Sequence, residues 1–248
     1  MLSKSEIKNI SRLKQKKYRL SERVFVVEGV RPVKEALDSR YTVSRLLVTE
    51  SQIAGFSKHE QCEQVTSAQM QQVSGMKTPP GVMALVEFPE NENLLLTGGV
   101  LLAEALNDPG NLGSILRTAD WFGIKTVILS EDSVDVFNPK TVQASMGSVF
   151  RVAVSYMNLQ EAVQQLKAKG VEVYGAALNG KNVYKTRFTS RFALVLGSES
   201  HGLSPQITEI CDEIVTIPSF GRAESLNVGV SCAVISAEIK RSLTFEVK

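Results

Sequence analysis

The 248-residue sequence predicts two α/β units in series, the second built on a parallel sheet covered on both faces. Three observations carry this. Apolar runs of strand length alternate with stretches of helical period along most of the chain. Strands separated by helices need crossover connections, which run over the faces of a parallel sheet. Between Phe88 and Val100 the alternation stops in PENENLLLTGG, whose Pro, Asn, Glu and Gly have no period and suit a linker.

Taken in order, the chain opens with a lysine-rich helix whose apolar stripe is Ile7, Ile10 and Leu13. VFVVEG then reads as a strand, RPVKEALDS as a helix, SRLLVTE as a strand, SAQMQQVSG as a helix and GVMALVEF as a strand. The boundary is expected near Leu94, giving domains at 1–93 and 94–248. Beyond it come strand VLLAEAL, helix NLGSILRTADWFG closed by Gly123, strand TVILS, a helix from about Asn138 to Gly147 and strand RVAVSYM. Helix LQEAVQQLKAKG, strands VEVYGAAL and FALVLGSE, a short helix after Leu203, strand EIVTIP and a long last helix from about Ser225 complete the reading.

Composition narrows the function classes. A hydrophobic fraction of 43% and a charged fraction of 22% are ordinary for a globular protein, and no apolar run is long enough to span a bilayer. The first 23 residues carry charge throughout and lack an apolar signal core, so a soluble, cytoplasmic protein is expected. Cys62, Cys211 and Cys232 form no CxxC pair, and with only His59 and His201 beside them no structural metal site is expected. Net charge is +2, but residues 1–23 hold eight basic side chains against Glu6 and Glu22, so this leader is +6 and the remainder −4. Attraction to a polyanion is therefore concentrated at one end, although a solvated helix has the same composition.

Several familiar patterns fail. GAALNGKN, residues 175–182, nearly matches the phosphate loop, but Asn182 stands where a hydroxyl would ligate magnesium, and a strand followed by a turn is expected instead. GSESHG lacks the GxSxG elbow, which leaves His201 as an exposed turn histidine. No GxGxxG fingerprint follows a strand, which argues against dinucleotide chemistry.

Three segments are less ordinary. In NDPGNLGSILRTADWFG turn formers lead into a helix that Asn111 is placed to cap, and Arg117 lies off its apolar face, where a guanidinium reaches a phosphate. In LVLGSESHGLS the apolar strand delivers Gly197 and Glu199 to its carboxyl end, the edge where open α/β sheets bind ligands. In IPSFGRAESLNVGVSCAVISAE, Ser225 is placed to cap the last helix and Asn227 sits in its first turn. Singly, each has a bland reading: a cap, a surface arginine, a salt-bridged acid.

Together, N-x-G-x-x-x-R, G-x-E-x-x-G and S-L-N-V, in this order over residues 99–242, resemble the three motifs of the SpoU/TrmH RNA 2′-O-ribose methyltransferases of the SPOUT superfamily. The front part, KKYR followed by VFVVEGVRPVKEAL, looks like that family's substrate-binding domain of ribosomal-protein-like α/β fold. The resemblance implies a C-terminal domain with a deep trefoil knot and a homodimer. It also implies S-adenosyl-L-methionine (SAM) held at Ala176, Leu196, Gly197, Ile217, Pro218 and Leu226. Residue by residue it carries the catalytic set to Asn111, Arg117, Glu199, Ser225 and Asn227. Ser200 departs from the pattern at a place often held by glycine, and Phe220, Gly221 and Arg222 occupy a variable loop.

The family proposal makes the arginine a base, but a guanidinium stays protonated in proteins, so a clamp on the flanking phosphate is the role expected for Arg117. The activity implied is SAM-dependent 2′-O-methylation of RNA, ribosomal ahead of transfer RNA. The alternatives are a catalytically silent RNA-binding or ribosome-assembly protein on the same scaffold, and a knotted enzyme that methylates a base.

Overall fold

The computed structural model describes residues 2–90, 96 and 98–245, so the expected boundary between residues 93 and 94 lies outside the described residues. The chain divides into two compact units, Met1–Asn91 with Asp135–Phe150, and Glu92–Val134 with Arg151–Lys248.

In the first unit, helix α1 (Lys4–Arg12) starts at a capping box in which Glu6 N donates to Ser3 Oγ at 3.2 Å and Ser3 N to Glu6 Oε2 at 2.8 Å. Its Ile10, followed by Leu13, is buried among Val26, Leu47, Met70 and Met83. The single leader helix expected from sequence is in fact two, because the chain turns after Leu13 before α2 (Lys16–Glu22). The break has a partner. Arg19, 1% exposed, donates from Nη1 to the carbonyls of Leu13 and Lys14, both at 2.8 Å, and so satisfies acceptors that the end of α1 leaves open. Its Nε and Nη2 reach Asp135 Oδ2 at 3.0 and 2.6 Å. One of the eight leader cations is thus a core group; Arg12 pairs with Glu22, and Lys14 Nζ donates to the Ser74 carbonyl at 2.6 Å.

Strands β1 (Val24–Glu28), β2 (Val43–Thr49), β3 (Cys62–Val65) and β4 (Val82–Glu87) form a sheet of order β1-β4-β2-β3. Helix α3 (Val30–Leu37) follows β1, and α4 (Ser67–Val73) follows β3. Strand β3 was not expected: CEQV has no apolar run, three of its four residues are not buried, and it forms by parallel pairing with β2 at the edge. The segment 135–150 joins this unit through its aromatics. The Phe137 ring stacks on Phe25 at 4.3 Å between centroids, and Phe150 meets Tyr41 edge-on at 5.3 Å.

The second unit holds β5 (Gly99–Ala103), α5 (Pro109–Trp121) and β6 (Thr126–Leu129). After α6 (Pro139–Ser145), which lies in the first unit's segment, it continues with β7 (Ala153–Tyr156), α7 (Leu159–Ala168), β8 (Glu172–Asn182) and β9 (Phe192–Leu196). Helix α8 (Pro205–Ile210), β10 (Glu213–Thr216) and α9 (Val228–Thr244) complete it. Its six strands are all parallel, in the order β10-β8-β9-β5-β6-β7. One alternation of strand residues, including Val100, Leu102, Ile128, Val173 and Val195, packs on Leu159, Val163 and Leu166 of α7 and Ile207 of α8. The other, Leu101, Val127, Tyr174 and Leu194, is equally buried, so both faces are covered as expected.

The segment 175–182 is not a strand followed by a turn. Strand β8 runs on to Asn182, and its pairing with β10 jumps from Gly175 opposite Ile214 to Lys181 opposite Val215. Gly180 answers a packing need there: a Cβ would stand 2.6 Å from the Ile214 carbonyl oxygen, a distance that backbone cannot yield.

Candidate active site

The loops that follow β5 and β9, neighbours in the sheet, meet at the carboxyl edge, with the first turn of α9 beside them. Helix α5 begins at Asp108, not at Asn111 as the sequence suggested: Asp108 Oδ1 accepts from Asn111 N at 2.8 Å, with Pro109 at the first helical position. Asp followed by Pro was the signal for this cap. The last helix is likewise capped by Asn227 rather than Ser225, its Oδ1 accepting from Gly229 N at 2.9 Å and Val230 N at 3.3 Å. Both corrections have one cause. A cap needs an oxygen two or three residues ahead of a free amide, and Asn111 is already inside α5, while Ser225 lies three residues before α9.

Freed from capping, the Asn111 side chain links the motifs. Its Nδ2 donates to Glu199 Oε1 at 2.9 Å, and its Oδ1 accepts from Asn227 Nδ2 at 2.8 Å. Glu199 also accepts from the backbone N–H of Asn107 at 3.4 Å and of Asp108 at 3.3 Å. Gly197 permits the turn that presents Glu199: Ser198 and Gly202 exchange two backbone hydrogen bonds of 3.0 Å, and a Cβ on Gly197 would lie 2.1 Å from the Gly202 carbonyl carbon. Helices α5 and α9 approach closely where Gly229 meets Ser114, since a Cβ there would sit 3.0 Å from that of Ser114. Gly229 and Asp108 are the contributors that the sequence reading missed; for Gly229 no local signal exists.

Arg117 is exposed on α5 and has no hydrogen bond or ion pair among the described residues. Ser225 is exposed and likewise outside the network. Of the residues expected to hold a cofactor, Ala176 inside β8 pairs in register with Leu196 at the end of β9, and Ile217 and Pro218, half-buried, follow β10 on the other side of β8. Leu226 is 49% exposed, an apolar side chain left in solvent one residue before the α9 cap. A separate groove of about 580 Å³, lined by Glu104, Ser130, Asp132, Asn158, Gln160 and Ser204 among others, contains none of these residues.

The electrostatics favour a fixed scaffold over a nucleophile. Burial pushes the Cys211 thiol up to about 11 and the Cys232 thiol up to about 12. Among the described residues no group of three or more His, Cys, Asp or Glu is placed to hold a metal ion. For Glu199, burial favours the neutral acid, but the hydrogen bonds from Asn111 and from backbone N–H groups prevail and hold its carboxyl below the ordinary range. A carboxylate with a depressed folded-state value stabilises its contacts fully above the unfolded value of about 4.3, and that contribution is lost as pH falls through the folded value. Protection of the Asn107 and Asp108 amides in hydrogen exchange should therefore stay flat from about pH 8 to 5, after correction for intrinsic rates. Glu199→Gln should lower it across that range, because an amide offers one acceptor oxygen where the carboxylate offered two. Wild-type protection lost near pH 6 would contradict this account of the loop.

Comparisons with known proteins agree with the family resemblance. Residues 99–237 match the family model described as the SpoU rRNA Methylase family, and residues 4–84 match the MRM3-like substrate binding domain. The chain is 37% identical over 233 residues, 93% of its length and 94% of the relative's, to the 23S rRNA (guanosine(2553)-2′-O)-methyltransferase RlmP of Bacillus subtilis. A solved structure assigned to the TrmH family of RNA methyltransferases, from Porphyromonas gingivalis, superposes with a TM-score of 0.88 at 38% identity, covering 97% of this chain and 99% of the other. The AdoMet-bound rRNA methyltransferase of Sinorhizobium meliloti superposes at 0.87 with 27% identity, covering 98% and 97%.

Proposed function

Since the chain belongs to the SpoU rRNA methylase family, we propose that Asn111, Arg117, Glu199, Ser225 and Asn227 form one site that methylates a ribose 2′-hydroxyl of ribosomal RNA. The chain is a SAM-dependent RNA 2′-O-methyltransferase. The observation that carries the site is the hydrogen-bonded line Glu199–Asn111–Asn227, which joins residues 88 and 116 positions apart beside the helix that bears Arg117.

SAM supplies a methyl group already activated by its sulfonium. The residues present fit it: Ala176 where β8 leaves its pairing with β9, Leu196 and Gly197 at the end of β9, and Ile217 and Pro218 after β10 offer backbone and small or apolar side chains, and exposed Leu226 offers an apolar surface for an aromatic base. What the chain must add is alignment and charge management at the ribose. Arg117, free of protein partners among the described residues, holds the phosphate flanking the target through a bidentate fork. Asn111, bonded to both Glu199 and Asn227, keeps the helix that carries Arg117 in register with the loop before α9. Ser225 presents a hydroxyl to the ribose. The proton of the 2′-hydroxyl leaves to the clamped phosphate or to solvent, because a guanidinium cannot accept it.

The front unit, residues 1–93, is the RNA reader in this proposal, supported by the substrate-binding-domain match and by Lys4, Lys8, Lys16 and Lys17 exposed on its leader. Two copies of the chain pair through the second unit, with Leu226 and Val230, each about half exposed, at the start of α9. A knotted path is supported by β10 lying outside β8 while α9 returns to pack on α5. Among the described residues no helix is long and apolar enough to cross a membrane. We place the protein in the cytoplasm, a reading supported by three free cysteines.

The relative from Bacillus subtilis makes 23S rRNA the first substrate to try. Incubated with that RNA and methyl-labelled SAM, the protein should leave label on a ribose 2′-oxygen. Label on a base would favour a base methyltransferase, and no incorporation into ribosomal or transfer RNA would favour a silent RNA-binding protein; either overturns the proposal.

A further inference from the structure

Trp121 is the single tryptophan of the chain and is 84% exposed. A tryptophan usually buries most of its surface, so an indole left in water marks a surface with a use. It ends α5, and at 100° per residue Ser114, Arg117 and Trp121 lie within about 60° of one another on one face of that helix. Arg117 and Trp121 are four apart, so their side chains are neighbours, and Trp121 stands about 6 Å further along the axis. The neighbouring residue on this face is a cation. Arg117 supplies the charge on this face, Lys125, four residues after Trp121 in sequence, is exposed, and Arg151 is bound to the carboxylate of Asp120, the residue before Trp121, with its Nε at 2.8 Å. No hydrogen bond ties Trp121 down among the described residues.

A bare aromatic face beside a guanidinium is an arrangement that binds single-stranded nucleic acid, because every base has a face to stack and every phosphate a charge to meet. We infer that Trp121 is a stacking platform for the base of the nucleotide next to the phosphate held by Arg117, and that it contributes to RNA affinity rather than to the chemical step. The inference rests on Arg117 as a phosphate clamp. Helix α5 then has two roles, since its start aligns the ribose and its end grips the neighbouring nucleotide.

Because Trp121 is the only tryptophan, its fluorescence reports this site alone. Titrating the full-length protein with a ribosomal RNA fragment that it methylates should quench the emission and shield it from acrylamide, whereas sodium polyphosphate, which has charge but no bases, should do neither. Trp121→Ala should raise KM for RNA about 5- to 150-fold, with kcat at saturating RNA and SAM affinity nearly unchanged, and Trp121→Tyr should restore most of the loss. Quenching that survives in Arg117→Ala while methylation is lost leaves both roles standing. Quenching that survives while Arg117→Ala stays fully active removes the clamp alone. The stacking role is overturned if RNA leaves the emission unchanged or if Trp121→Ala has the wild-type KM. It is also overturned if the free protein already shields the indole and Trp121→Ala sediments as a monomer, which would make Trp121 part of a subunit interface.

Discussion

Arg117→Ala is expected to lower methyl transfer to RNA about a hundredfold or more while leaving SAM affinity nearly unchanged. Arg117 is exposed and has no protein partner among the described residues, so its removal takes no side-chain bond from the fold, and in the proposed site it meets RNA rather than SAM. What the proposed clamp would lose is a fixed, bidentate contact to a phosphate, and a displacement of about 1 Å at a reacting centre is enough for a hundredfold effect. Arg117→Lys keeps the charge but replaces a planar fork by a point donor on a flexible stem, and should recover only a small part of the rate. Single-turnover methylation with saturating SAM, together with calorimetric SAM titration, separates the outcomes. Full activity in the alanine variant would remove the clamp. Loss of SAM binding in step with activity would instead place Arg117 in the cofactor site.

The largest effect on stability is expected at Arg19. Its side chain and that of Asp135 are almost wholly buried, 2% and 8% exposed, and four hydrogen bonds hold the guanidinium. Arg19→Met leaves a buried carboxylate without its cation and two carbonyls without their donor, and breaking a buried pair from one side costs about 3–5 kcal/mol. Amides of the first unit should then exchange at least about a hundredfold faster, since each 1.4 kcal/mol is a factor of ten. Amides of β5, β9 and α7 should change little. Asp135→Ala should behave alike. The double variant Arg19→Met with Asp135→Leu should regain much of the loss, because the cost lies in the uncompensated charge more than in the missing bridge. A less than fivefold change in either single variant would show that Arg19 has a way out to water.

Arg19 also shows where composition misleads. The leader is +6 by sequence, and that number is the same whether a cation faces RNA or a carboxylate 116 residues away. Only the packed chain distinguishes them, and it removes Arg19 from the surface and pairs Arg12 with Glu22. The caps repeat the lesson at shorter range. Asn111 and Ser225 stand at plausible helix starts, but which oxygen caps depends on where the first helical turn begins, and that is set by neighbours of similar capping strength, Asp108 and Asn227.

By itself the sequence determined the alternation of strands and helices in the second unit, the parallel character of its sheet, and the motif residues, because buried strands, amphipathic helices and turn formers write their period locally. The tertiary structure alone decided the strand order β10-β8-β9-β5-β6-β7, the pairing that makes a strand of CEQV, and the joining of Glu199, Asn111 and Asn227. These rest on contacts between residues far apart in the chain, whose partners no local pattern names. They form when burial of the apolar faces brings the elements together, and the polar side chains then take the hydrogen bonds that remain within reach.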